Sequence, residues 1–120
     1  MKMNKELAYR IIFSLDENNL SEDEGILYLE VLNYLVKVDN GEWEFHLASY
    51  YEDSGCYELA LKYFKQDLER GELAYLGIGD VYLKMHEYDL AKENYQKALE
   101  AGYPKAKKRL VELERGIQWI

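Results

Sequence analysis

Shifted by 31 positions against itself, the chain aligns residues 41–71 with 72–102. The identical pairs are Tyr51/Tyr82, Tyr57/Tyr88, Leu59/Leu90, Ala60/Ala91, Leu68/Leu99, Glu69/Glu100 and Gly71/Gly102. Leu47/Ile78, Ala48/Gly79, Glu58/Asp89 and Phe64/Tyr95 match in kind. A recurring unit of this length constrains the fold more than any other feature, because each unit must bury its apolar face on its neighbours. In the second unit, Leu73, Leu76, Ile78, Tyr82 and Leu83 make a helical stripe over roughly 74–84. Tyr88, Ala91, Tyr95, Ala98 and Leu99 make another over roughly 88–101, and Met85–Glu87 is the turn between them. Gly79 and Ala91 allow the two helices to approach closely, and Gly102 suits the left-handed residue that closes a helix. The unit 41–71 repeats the design with Ala48, Tyr51, Ala60, Phe64 and Gly71.

Composition agrees with helices. Leu occurs 18 times, Val and Ile together 11 times, Thr never, and proline once, as Pro104. The scarcity of β-branched residues weakens any all-β alternative. In the N-terminal third, residues 4–15 form a first helix, with Leu7-Ala8 and Ile11 echoing Leu47-Ala48 and Tyr51. Asp16–Leu20 is a polar loop, and Ser21 with Glu24 makes a capping box that opens a helix over 22–38. That helix is apolar almost all round. It therefore lies between the first helix and the next hairpin, or else part of it serves a partner or a second copy of the chain. At the other end, Lys105–Glu114 forms a polar closing helix that Gly116 ends, leaving residues 117–120 as an apolar tail.

The residues Tyr75, Ile78-Gly79, Tyr82, Tyr88, Ala91, Tyr95, Ala98 and Pro104 resemble the tetratricopeptide repeat. Leu47-Ala48, Tyr51, Gly55, Tyr57, Ala60 and Phe64 match that pattern a second time, with Asp67 a departure where a small residue is expected. The short period and the links Arg70-Gly71-Glu72 and Ala101-Gly102-Tyr103 are similar also to the related Sel-one-like repeats. Either resemblance implies an all-α chain: a right-handed α-solenoid of tandem antiparallel hairpins with about seven helices. The chain would be one repeat domain over 1–120: a degenerate hairpin (1–40), repeats at 41–71 and 72–102, and a capping helix with its tail (103–120). It implies further that outward side chains of each first helix line a concave, partner-binding surface. Carried over position by position, these are Phe45, Ser49 and Glu52, then Leu76, Asp80 and Leu83, with Tyr9 and Ile12 from the first unit. Family members that clamp a peptide's terminal carboxylate use Lys, Arg and Asn there, so that clamp is not expected.

Charge narrows the partner. The formal net charge is −8, and residues 1–60 hold 4 basic and 13 acidic side chains. Such a chain repels phosphate backbones and anionic lipid, so neither nucleic acid nor a membrane surface is expected as a partner. No apolar run approaches a membrane span, residues 1–20 lack a signal-peptide core, and the single cysteine, Cys56, suits a reducing, cytoplasmic setting. His46 and His86 lack zinc-ligand spacing, and Gly77-x-Gly79 falls within a helix instead of after a strand. The acidic run Asp16, Glu17, Glu22, Asp23 and Glu24 lacks calcium-loop spacing, which leaves a solvated loop or a docking patch for a basic protein. No catalytic residues, cofactor or metal are expected. The function expected is non-catalytic binding of a basic, partly hydrophobic protein or peptide. An inhibitor or immunity-type protein, a secretion chaperone, and a homodimer through helix 22–38 or the C-terminal tail are the alternatives.

Overall fold

The computed structural model describes residues 2–39 and 43–119, with side chains through Gly116. Among the described residues there are seven helices and no strand: α1 (Lys5–Ser14), α2 (Glu22–Val38), α3 (Trp43–Asp53), α4 (Tyr57–Asp67), α5 (Ala74–Lys84), α6 (Tyr88–Glu100) and α7 (Lys105–Trp119). Each packs on the helix next to it in sequence, and α3 also touches α5. The body is elongated, 53 × 29 × 21 Å.

Local signals set the boundaries. Asn4 Oδ1 accepts the Leu7 N–H at 2.9 Å and opens α1. Both halves of the α2 capping box are formed, Glu24 N–H to Ser21 Oγ at 3.2 Å and Ser21 N–H to Glu24 Oε1 at 3.0 Å. These hydrogen bonds hold the Glu24 carboxyl below its usual range. Three helices end in the same left-handed closure, at Gly55 (φ 80°), His86 (φ 63°) and Gly102 (φ 98°). At each, the next residue's N–H reaches back five positions: Cys56 to Tyr51, Glu87 to Tyr82 and Tyr103 to Ala98. Gly71 does not take this conformation; α4 instead ends in tight turns, with Glu69 and Arg70 N–H bonding to Gln66 and Asp67 carbonyls.

The core is serial. The first cluster joins Ala8 and Ile12 of α1, Tyr28, Val31, Leu32 and Leu35 of α2, and Leu47 of α3. A second joins α3, α4 and α5 through Ala48, Ala60, Phe64 and Ile78. A third joins α5, α6 and α7 through Leu76, Ala91, Tyr95, Ala106 and Leu113. The α2 helix accordingly packs on both α1 and α3, which accounts for its apolar girth and leaves only Ile26 and Val38 among its large apolar side chains exposed. Gly77 and Gly79 lie on either flank of α5. A Cβ at Gly77 would meet the Phe64 ring at 2.5 Å, and one at Gly79 the Tyr95 ring at 2.6 Å. Both glycines are contact points for aromatic rings, one from α4 of the preceding hairpin and one from α6 of the same hairpin.

One boundary differs from the sequence expectation. Gly116 does not end α7, which continues to Trp119. A glycine stops a helix by turning left-handed, and Gly116 keeps a helical backbone. How the apolar side chains at 117–120 are placed, and with them any tail-mediated dimer, lies outside the described residues, as do positions 40–42 at the first repeat boundary.

Candidate functional site

The residues that the sequence placed on a binding surface lie on α1, α3 and α5. Two of those residues serve the core instead: Ile12 is 7% exposed and Leu76 8%. Their positions are apolar because neighbouring helices cover them. Phe45 is half-buried and packs edge-on against Phe64, ring centroids 5.4 Å apart. Ser49 and Leu83 are partly exposed and line separate depressions.

The two carboxylates expected to meet a basic partner already hold cations of this chain. Glu52 pairs with Lys84 at 2.9 Å, joining α3 to α5. Asp80 pairs with Arg109 at 2.6 Å and accepts the Tyr95 hydroxyl at 2.5 Å, joining α5 to α6 and α7. Burial raises the Glu52 pKa; Lys84 opposes that shift, while Asp80 and Asp53 add to it. Burial also works against the charge of Lys84, but the Glu52 hydrogen bond and nearby carboxylates outweigh it, and the ammonium pKa is raised. Tyr95 is shifted strongly upward by burial and by its bond to Asp80. The surrounding groove, about 470 Å³ between α5, α6 and α7, carries Asp80 and Glu112 against Lys108 and Arg109. Its charges balance.

The N-terminal half differs. Two adjoining depressions of about 390 and 210 Å³ share Glu17, Asn18, Tyr28 and His46. Phe13 and Trp43 line the first, with Asp16; Phe45, Ser49 and Tyr50 line the second, with Asp53. Neither has a lysine or arginine in its lining. Among the described residues, no ion pair engages Asp16, Glu17 or Asp53.

The aromatic wall here is held in place. Asp39 accepts both the Trp43 Nε1–H, at 2.8 Å, and the Tyr9 hydroxyl. Tyr9 therefore acts as a support within the wall, and its pKa is raised, chiefly by that hydrogen bond. The Tyr9 ring stacks on Phe13 at 6.1 Å and lies 6.1 Å from Trp43, which lies 5.4 Å from His46. Phe13 is 76% exposed, so its ring serves no core. On the opposite wall, the Tyr28 hydroxyl donates to Glu17 at 3.1 Å; burial, with the Glu17 charge, drives its pKa strongly upward.

Sequence reasoning reached Tyr9 but missed Phe13, Trp43 and His46. Phe13 follows Tyr9 by one helical turn, and that spacing was the available signal. Asp16 and Glu17 were visible only as an acidic run. Among the described residues no group of three or more His, Cys, Asp or Glu side chains is placed to hold a metal ion, and no helix is long and apolar enough to cross a membrane. No protein-family model matches the chain, and no curated protein matches it in sequence.

Proposed function

We propose that this chain is a non-catalytic interaction module of the tetratricopeptide or Sel-one-like kind that binds a basic, partly hydrophobic polypeptide across α1 and α3. The observation that supports this reading is the continuous aromatic surface around His46, whose charged members are all acidic. Aromatic rings supply desolvated contact area, and carboxylates outside any ion pair among the described residues steer a cationic partner and fix its register. The 13 acidic side chains against 4 basic in residues 1–60 extend the same field beyond the contact. An adaptor, or an inhibitor that masks a basic partner, would use such a face equally well. The exposed, free Cys56 thiol suits the reducing cytoplasm. A homodimer through α2 has less behind it, since α1 and α3 already cover most of that helix.

Calorimetric titration with a short amphipathic peptide of arginine and leucine tests the reading. Binding should weaken with salt and fall several-fold when Asp16→Asn, Glu17→Gln and Asp53→Asn are combined. Equal affinity for an acidic peptide of the same apolar pattern would overturn it.

A further inference from the structure

We infer that the depression between α1, the loop after it and α3 is an anchor subsite for an arginine side chain of the partner, whose guanidinium lies against Phe13 and Trp43 and meets the carboxylates of Asp16 and Glu17. This rests on the reading above and names the chemistry of one contact within it.

Three observations converge. First, the rings are present before any partner arrives: Trp43 is held through its indole N–H by Asp39, and Phe13 is backed by Tyr9. A preset wall spares the ordering cost of binding. Second, the same depression carries two carboxylates and no cation of its own. Arg10, the nearest arginine in sequence, pairs with Glu6 one turn earlier on α1. Third, the chain supplies its own comparison. At Glu52, and at Asp80 in the groove farther along, Lys84 and Arg109 fill the cationic role from within. At Asp16 and Glu17 that role falls to another molecule. A planar, weakly hydrated guanidinium suits the place better than an ammonium, because it stacks on aromatic faces while its N–H fork engages carboxylates. The volume, about 390 Å³, is ample for one such side chain.

The test is an NMR titration of the intact chain, observing the Trp43 indole N–H. The probes are a blocked tripeptide with arginine between two leucines and its lysine and citrulline counterparts. The arginine peptide should shift the Trp43 resonance saturably, and the uncharged citrulline peptide should bind about tenfold more weakly. Asp16→Asn with Glu17→Gln should remove most of that difference. Phe13→Ala, at a position 76% exposed and so neutral for folding, should weaken the arginine peptide several-fold. Equal binding of arginine and citrulline peptides would overturn the subsite. So would shifts confined to α3 and α5 with Trp43 unmoved, although that result keeps the wider reading. If neither the tripeptide nor the longer basic peptide moves any resonance of this face, both proposals fall.

Discussion

Gly55 and His86, 31 positions apart in sequence, take the same left-handed backbone at the same point of successive hairpins, with φ of 80° and 63°. Each is followed by a residue whose N–H returns to a tyrosine carbonyl, Cys56 to Tyr51 and Glu87 to Tyr82. The backbone thus repeats where the side chains do not.

A glycine meets this conformation without strain, whereas a residue with a Cβ does not. Replacing His86 by glycine should therefore raise stability by about 0.5–1 kcal/mol, the relief being reduced by loss of the 3.0 Å contact between its Nδ1 and the Tyr88 hydroxyl. Gly55→Ala should lower it by about 1 kcal/mol. Urea denaturation of the two variants, followed by circular dichroism, checks the opposite signs.

Gly77 and Gly79 invert the usual helix rule. Alanine in a helix interior is favoured over glycine by about 1 kcal/mol. Here an added Cβ lands 2.5 Å from the Phe64 ring or 2.6 Å from the Tyr95 ring, and both rings are buried on all sides. Gly77→Ala and Gly79→Ala should each destabilise by about 1–3 kcal/mol despite better propensity. Stability equal to or above that of the unmodified chain would contradict this packing of α5.

Both helix pairs were legible in the sequence because their periodicity and small residues act within one unit. The bounds of α2 match those expected from its capping box and patterning, and α5 falls where its apolar stripe was expected, over roughly 74–84. The binding face was less legible, because position in a repeat does not say whether a charge is already answered elsewhere. Glu52 and Asp80 looked available, yet Lys84 from the next helix and Arg109 from the capping helix reach them. Reversing either carboxylate to lysine would strand a cation of the chain itself and so confuse stability with binding. Trp43 gains its meaning only from Asp39, a residue beyond the end of α2. Such pairings depend on how hairpins stack, which a local pattern does not encode.

Asp80→Asn should loosen α7 more than the rest of the molecule. It keeps an acceptor for the Tyr95 hydroxyl but removes the charge that holds Arg109. Both side chains are partly solvated, which limits the expected cost to about 1 kcal/mol. Hydrogen exchange should speed up on α7 amides first; uniform acceleration along the chain would argue against a local tether.

Alkaline pH should unfold the chain through its tyrosines. Tyr28 and Tyr95 have raised pKa values, so the folded state keeps their protons where the unfolded chain, with tyrosines near pH 10, releases them. Their contribution is complete below about pH 10 and is lost as pH rises beyond it. The raised pKa of Lys84 acts in the same direction. Tyrosinate absorbance should thus show a late, cooperative step that coincides with loss of helicity. A smooth titration of all tyrosines ahead of unfolding would contradict the burial of these two.

Because each of the three core clusters draws on three consecutive helices, almost every buried contact is made between segments that emerge from the ribosome one after another. Little of the molecule has to wait for a distant stretch of sequence. The chain can set turn by turn during its own synthesis, and the low sequence separation of its contacts places it among fast folders.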